Sequence, residues 1–339
     1  MRKKNRIMHC KRCLMPNTRP NSIFNKNNIC QACINHDKKK FINFKKRQEW
    51  LSRYIKNNKN KSKYDCLVAV SGGKDSHMIV KRLIENHSIK NPLLVSISDE
   101  FTHSRAGQYN INNLVTRYNL DHVTFRCKPK EFIRKTRQDF EKELHPLKWI
   151  EEQIYLIPLD IAEKYGINLI FYSENPAFEY GTSKKLNIFH PHANKKNKVI
   201  FMGAIYPYSI TDSLKEARSI GFKNLDDFNE WKREGSIEQD TQIDSLGYIV
   251  QLWTKYPKFG FQRVSDIASR YVREGKISLD EARKLIIEND HKLDSQALED
   301  FINCLGYTSK EFWNIVDKFW NSNLFEKVDG IWRRKFNYN

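Results

Sequence analysis

Ser71-Gly72-Gly73-Lys74-Asp75-Ser76 brings two hydroxyls, two glycines, an ammonium and a carboxylate together at one junction of a 339-residue chain. Ahead of it, Tyr64 to Val70 (YDCLVAV) ends in the short apolar, β-branched run that a buried parallel strand needs. Behind it, Asp75 to Glu85 places Met78, Ile79, Leu83 and Ile84 on one side of a helix. In a strand, glycine turn, helix order, backbone N–H groups converge at a helix N-terminus, where unpaired donors and aligned peptide dipoles favour an anion, above all a phosphate. The pattern is neither G-x-x-x-x-G-K-[ST] nor G-x-G-x-x-G.

A second set of chemistry-bearing residues lies near the start. Cys10-x-x-Cys13 and Cys30-x-x-Cys33, separated by 16 residues, have the paired-knuckle spacing of a structural Zn2+ site. Four thiolates also suit an iron–sulfur cluster. His9 and His36 flank the knuckles and are expected to be bystanders. Metal binding would give about forty polar residues the folding energy that a core cannot supply. The isolated Cys66 and Cys127 fall in apolar runs read as strands and Cys304 in a helix, so packing explains each.

The elements that must position these groups alternate. Residues 37–63 read as a basic helix and linker, with Phe41, Phe44, Trp50, Leu51 and Tyr54 as an apolar stripe. Strands are expected at Pro92 to Ser98, His122 to Cys127, Ile167 to Tyr172 and Val199 to Gly203. Helices are expected at Ser104 to Tyr118, Pro129 to Glu143 and Trp149 to Tyr165, the last kinked or broken at Pro158. Strand–helix alternation implies right-handed crossovers and a mostly parallel sheet covered on both faces, with ligands at the carboxyl ends of its strands. Ser71 to Ser76, Asp99 and Glu174-Asn175 all fall at such ends. The lysine-rich stretch 181–200 suggests a lid. Beyond it, helices are expected at Leu214 to Ile220, Leu225 to Arg233, Asp266 to Glu274, Leu279 to Glu288 with a Ser278/Glu281 capping box, Ser295 to Cys304 and Ser309 to Asn321.

Composition sets the outer limits. With 40% hydrophobic residues the chain can bury a substantial core and is long enough for about two domains. No apolar run approaches the roughly 18 residues of a membrane span, and the basic start Met1-Arg2-Lys3-Lys4 leads into Cys10 rather than an apolar segment, so a cytoplasmic protein is expected. Residues 1–63 hold 19 Lys and Arg against 2 Asp and Glu, so +17 of the net +19 lies there and the remainder is nearly neutral. Such a segment suits nucleic acid, an acidic partner or an anionic surface. The Lys/Asn-rich run Asn57-Asn58-Lys59-Asn60-Lys61 is equally explained by codon bias.

The S-G-G-x-D-S motif resembles the pyrophosphate loop (PP-loop) of the N-type ATP pyrophosphatases. Over nearly its whole length the chain resembles the N-acetyl sugar amidotransferases of surface-polysaccharide and nonulosonic-acid biosynthesis. The resemblance rests on CKRCLMPNTRP at 10–20 with the second knuckle at Cys30, VSGGKDSH at 70–77, LLVSISDEFTHS at 93–104, SENPAFEYG at 173–181, QIDSLGYIVQLWTKYPKFGFQRVSDIASRYVREGKIS at 242–278 and DHKLD at 290–294. It departs from the family between the EYG and QIDS blocks, where a lysine-rich insert lies near 190–198. It implies an α/β fold in four parts: a zinc module at 1–36, a basic helix and linker at 37–63, a PP-loop ATP pyrophosphatase domain at 64–205 and a mainly helical substrate or partner region at 206–339.

The resemblance also implies a reaction. Members of the family convert an acetamido group on a sugar to an acetamidino group with ATP and ammonia. An amide carbonyl is a poor electrophile; attack of its oxygen on the α-phosphate gives an O-adenylyl imidate and pyrophosphate, and ammonia then expels AMP. The enzyme's work is positioning and charge stabilisation. Ser71, Gly72, Gly73, Lys74 and Ser76 are expected at the β- and γ-phosphates. Asp75 either holds Mg2+ through water or caps the helix. Asp99 is expected to orient nucleotide or metal, and Glu174, Glu179 and Tyr180 to contact substrate and take a proton from the attacking ammonium. Lys255, Lys258 and Arg263 surround Tyr256-Pro257, where a rigid turn would present cations to a sugar diphosphate or carboxylate.

No cysteine has the setting of a glutaminase nucleophile, so ammonia is expected from a separate glutaminase subunit, with the basic module as a docking surface. Two other classes share some of these features. A PP-loop tRNA-modifying enzyme, a thiolase or lysidine-type ligase, would account for the basic segment, but the body lacks a second cysteine pair for sulfur transfer. A non-catalytic zinc-ribbon adaptor would leave Lys74 and Asp75 without work.

Overall fold

A computed structural model describes residues 7–58, 62–174 and 176–338. The basic start Met1 to Lys4, Lys59 to Lys61 of the linker, and Asn175 lie outside them. In chain order, the cysteine-bearing segment leads into α1 (Gln31–Lys38) and α2 (Phe44–Asn57). Then follow β1 (Cys66–Ala69), α3 (Lys74–His87), β2 (Pro92–Ser98), α4 (Arg105–Tyr118), β3 (His122–Arg126), α5 (Pro129–Glu143), α6 (Lys148–Lys164) and β4 (Leu169–Tyr172). After α7 (Pro176–Glu179) and β5 (Lys198–Phe201) come α8 (Ile210–Arg218), α9 (Tyr248–Trp253), α10 (Lys255–Phe259), α11 (Arg263–Arg273), α12 (Leu279–Asn289), α13 (Ser295–Leu305) and α14 (Ser309–Asp317). A hairpin, β6 (Phe325–Val328) and β7 (Ile331–Arg334), follows.

The α/β architecture is the one expected. Strands β3-β2-β1-β4-β5 form one parallel sheet, with Leu67 opposite both Leu93 and Ile170. Its side chains alternate between two apolar layers, as the two-residue strand period requires. Leu67, Leu93, Val95, Ile170, Tyr172 and Val199 join the core under α5 and α6, while Cys66, Val68, Leu94, Phe171 and Ile200 join Leu51 of α2 and Ile79 and Leu83 of α3. Phe301 of α13 and Phe312 of α14 pack around Phe140 of α5 at 5.3 and 5.2 Å between centroids, so the C-terminal helices extend the first layer. Among the described residues no helix is long and apolar enough to cross a membrane.

Several details depart from expectation. Pro158 does not end α6: the Ile154 carbonyl, one turn back, which a proline cannot serve, accepts the Tyr172 hydroxyl at 3.0 Å. Leu225 to Arg233 is not a helix but one 3-10 turn, Asp226–Phe228. Asn224 and Asp227 exchange side-chain bonds across it and Asn229, at φ 49°, stops it. The expected helix to Asn321 stops at Asp317. Asp329-Gly330, both at positive φ, makes a tight hairpin that the helical reading passed over. Tyr256-Pro257 lies within α10 rather than in a turn. The Ser278/Glu281 capping box is formed.

Because Phe301 is fully buried among Phe101, Phe140 and Phe312, Phe301→Ala should cost about 3–5 kcal/mol of unfolding free energy, read as a lower urea midpoint.

Candidate active site

The sheet order reverses at β1, with β2 on one side and β4 on the other, so the carboxyl ends of β1 and β4 are where a sheet of this topology has its ligand crevice. The S-G-G-K-D-S loop leaves β1 there. Gly72 has φ +79°, and a Cβ on it would stand 3.0 Å from the Gly107 carbonyl oxygen and 3.1 Å from Ile111 Cγ1, so the turn requires glycine. Gly73, extended, precedes the first residue of α3, and Ser76 Oγ accepts the Ser71 N–H at 3.0 Å. The Lys74 side chain is buried, with Nζ 2.7 Å from Asp75 Oδ2 and 6.0 Å from the Tyr208 ring centroid. Burial works against its charge, but Asp75 and Tyr208 outweigh it and raise the ammonium above its usual range. Asp75 Oδ1 is buried and has no hydrogen-bond partner among the described residues.

The other strand ends bring carboxyls. Asp99 follows β2, and its Oδ1 accepts the Ser245 hydroxyl and the Phe101 N–H, both at 3.1 Å. Burial pushes it up to about 6, with Asp244 adding and His103 opposing. The same region is stitched to residues 243–245: the Ser104 hydroxyl donates to the Ile243 carbonyl, and Ser104 N–H to that of Asp244 at 3.0 Å. Glu174 follows β4 and accepts the Tyr155 hydroxyl at 2.7 Å. Burial raises it to about 7; Tyr155 opposes this, while Glu179 and Asp75 reinforce it. One crevice therefore holds a charged lysine, a carboxylate with a free oxygen and a carboxyl that titrates near neutrality.

Glu179 closes α7 and accepts Arg270 Nη2 at 2.7 Å, while its backbone carbonyl accepts Arg273 Nη2 at 3.0 Å. Tyr180 has Arg19 and Arg270 over its ring, 4.6 and 4.8 Å from the centroid, and Arg263 Nη1 3.5 Å from its oxygen. Burial resists ionisation of this phenol, but Arg270 and Arg263 prevail and bring it down to about 8. Of the three cations expected around Tyr256-Pro257, Lys255 and Arg263 lie close enough to Tyr180 to influence it. Lys258 is directed elsewhere: its Nζ donates to the Leu144 and Glu143 carbonyls at 2.6 and 3.2 Å, capping the end of α5.

The four cysteines meet. Cys10, Cys13, Cys30 and Cys33 are buried with all sulfurs within 4.8 Å of one another, and the Cys10–Cys33 and Cys13–Cys30 separations are 3.8 and 3.6 Å. A tetrahedral site with metal–sulfur bonds of about 2.3 Å has sulfur–sulfur edges of about 3.8 Å, so the set fits one. His9 stays outside it, tilted against Tyr338 with ring centroids 4.6 Å apart. The module is also joined to the crevice. Arg273 Nη1 is 3.4 Å from Cys13 Sγ, Asn35 Nδ2 donates to the Ala177 and Ser183 carbonyls at 2.8 Å each, and a Cβ on Gly181 would stand 2.3 Å from the Ala32 nitrogen.

Tyr155, Tyr208, Arg19, Arg270, Arg273 and Asn35 escaped the sequence reading. The arginines of α11 had one local signal: Arg263, Arg270 and Arg273 recur at helical spacing.

Comparison with known proteins bears on the C-terminal part. Residues 226–337 match the family model described as LPS biosynthesis protein WbpG-like, C-terminal domain. This region is similar to the WbpG-like C-terminal domain. The WbpG-like region supplies Asp244, Ser245, Lys255, Arg263, Arg270 and Arg273, and it agrees with the surface-polysaccharide family that the sequence blocks resemble. The uncharacterized protein MJ1599 of Methanocaldococcus jannaschii is 23% identical over 257 residues, 76% of this chain and 84% of its own. NMN synthetase from Francisella tularensis (11% identity, TM-score 0.38, covering 78% of this chain and 91% of its own) is a structural neighbour. So is the NH3-dependent NAD synthetase from Campylobacter jejuni (11%, 0.37, 79% and 98%).

If the thiolate set holds a metal, stripping it with a chelator should raise amide hydrogen exchange across residues 176–183, which rest on α1, and leave β2 protected. Unchanged exchange there would show that the module and the crevice are independent.

Proposed function

We propose that this protein is an ATP-dependent amidotransferase that converts an acetamido group of an activated or acidic sugar to an acetamidino group in surface-glycan biosynthesis. The observation that carries this reading is the meeting, in one crevice, of a phosphate-binding turn with a WbpG-like region. Ligation of a sugar amide needs both: a place where the leaving pyrophosphate is held, and a surface that brings the amide oxygen to the α-phosphorus.

The chain's residues divide the work. The N–H groups of Gly72 and Gly73, the Ser71 and Ser76 hydroxyls and the buried Lys74 ammonium take the β- and γ-phosphates. Asp75 Oδ1, buried and without a hydrogen-bond partner among the described residues, is the oxygen that fits a hydrated Mg2+, which when bound would neutralise phosphate charge. Asp99, held by Ser245, fixes the β2 end on the nucleotide side. The substrate's amide oxygen bonds to the α-phosphorus as pyrophosphate departs; ammonia adds to the imidate carbon, and the C–O bond breaks to release AMP carrying that oxygen. Glu174 takes the proton that ammonia sheds, with Glu179 as the neighbouring carboxylate. A group titrating near 7 is suited to that transfer. Tyr180, Lys255 and Arg263 contact the sugar. Lys258, engaged by the carbonyls at the end of α5, is left out of the sugar contacts.

The thiolate set is read as a Zn2+ site of structural role, in keeping with a cytoplasmic protein whose thiols stay reduced. Ammonia is assigned to a separate glutaminase, for which the exposed lysines of the first fifty described residues, among them Lys11, Lys26, Lys38, Lys40 and Lys45, offer a docking surface.

The test is release of AMP and pyrophosphate from ATP, Mg2+ and ammonium with a panel of N-acetylated nucleotide sugars and acidic sugars, set against bulk tRNA. A sugar-dependent signal, with a label on the acetamido oxygen recovered in AMP, is expected; release with tRNA alone would overturn the reading. Lys74→Ala should lower turnover by roughly 100-fold or more.

The pH dependence follows from Glu174. Its pKa is raised, so below about 7 it is protonated and cannot accept a proton. At fixed free ammonia, kcat should therefore fall about tenfold per pH unit below that point, and Glu174→Gln should lower kcat and abolish the limb while ATP-analogue affinity is kept. The stability sign is opposite: the raised pKa means that folding loses stability as pH rises from the ordinary glutamate range through 7, so Glu174→Gln should melt higher at pH 8 than the parent.

A further inference from the structure

The residues around Tyr180 carry more positive charge than their neighbours neutralise. Arg19, Arg263, Arg270 and Lys255 gather there, with Arg273 beside them, against the Asp266 carboxylate paired with Arg19, the Glu179 carboxylate paired with Arg270 and Glu151, which bears on Lys255. The nearby Glu238 is engaged by Arg233 and Thr241. Among the described residues Arg263 Nη2 reaches a hydroxyl, Thr241 Oγ1, at 3.0 Å. Arg270 is 5% exposed, yet its Nε, like that of Arg263, has no hydrogen-bond acceptor among the described residues. Burial lowers Arg19 to about 10, and repulsion from Arg270, Arg263 and Arg273 adds to this against the pull of Tyr180. Buried N–H groups without acceptors among mutually repelling cations are costly, and an anion with several oxygens removes both costs at once.

The origin of the four cations narrows the ligand. Arg263, Arg270 and Lys255 come from the WbpG-like region and Arg19 from the four-cysteine module; none comes from the sheet that carries the phosphate turn. Arg270 also bears on Asp75 and Lys74, so the cluster adjoins that turn. Guanidinium forks match the paired oxygens of carboxylate and phosphate. We infer that Arg19, Arg263, Arg270 and Lys255 form the binding site for the anionic group of the sugar substrate, a carboxylate or a diphosphate, and that the four-cysteine module is one wall of it. The inference rests on the reading of the chain as a sugar-modifying enzyme and adds to it which residues hold the charged group of that sugar.

Binding separates this site from the chemistry. With the full chain in its metal-loaded form, calorimetry would compare UDP-N-acetylglucosamine, N-acetylneuraminate and neutral N-acetylglucosamine, with a non-hydrolysable ATP analogue as a fourth ligand. At least one anionic sugar should bind more than about tenfold tighter than the neutral one. Arg19→Gln and Arg263→Gln should each weaken the anionic sugar by about tenfold and leave the analogue within about twofold, and Arg19→Lys should recover part of the loss. Should Arg19→Gln lose metal or melt early, Arg263→Gln, which leaves the module intact, carries the test. Equal affinity for charged and neutral sugars, or unchanged affinity in both variants, overturns the inference. An equal loss for sugar and analogue also overturns it, by assigning the cluster to the nucleotide's phosphates. Charge-selective binding without amidine formation would sustain the site and sink the amidotransferase reaction, whereas amidine formation on a neutral sugar would do the reverse.

Discussion

The close approach of Gly181 to the backbone of Ala32 is the contact on which the crevice depends. A Cβ at 181 would lie 2.3 Å from the Ala32 nitrogen, so two backbones meet where any side chain would hold them apart. That contact, with the two bonds from Asn35, fixes the chain that leaves β4 and hence the positions of Glu179 and Tyr180. The cysteine module is then less an appendage than the far side of the site. A sheet of five short parallel strands supplies the S-G-G-K-D-S turn, but segments from both ends of the chain close around it.

Charge is the second organising constraint. Lys74 is buried and still charged because Asp75 is adjacent, and Glu174 is held near neutrality because burial and two carboxylates act in the same direction. Both results follow from placing unlike and like charges in one poorly solvated space. A few ångströms away the balance shifts to guanidinium groups, and the phenol of Tyr180 becomes the group they bias. The crevice thus has a cationic side and a carboxyl side, separated by the α7 turn.

Local periodicity made most of the fold legible. Strands β1 to β5 and the helices between them follow from apolar runs and helical spacing, and the rule that ligands gather at strand carboxyl ends pointed to Ser71–Ser76, Asp99 and Glu174. Residues 229–247 were not legible, because their order comes from a buried pair, Arg233 with Glu238, and from Gly235 lodged against the Lys292 carbonyl, neither of which leaves a period in the sequence. The terminal hairpin was legible in Asp329-Gly330 and was overlooked among helices. Arg19 and Asn35 entered the site through packing alone, and the helical spacing of Arg273 gave no hint of its partner Cys13, 260 residues away.

That separation has a consequence for the order in which the protein is made. Ser104 waits for Ile243, Thr18 for the Phe259 carbonyl and Cys13 for Arg273, so contacts spanning 139, 241 and 260 residues must close before the crevice has walls. Such long-range closures come late and slowly. On the ribosome the cysteine module, the parallel strands and the S-G-G-K-D-S turn emerge early, while Lys255, Arg263 and Arg270 of the cationic side await the last third of the chain. An unfinished molecule therefore has the S-G-G-K-D-S turn without the arginines and lysine that flank it, and the two sides of the site meet only once the last third has been made.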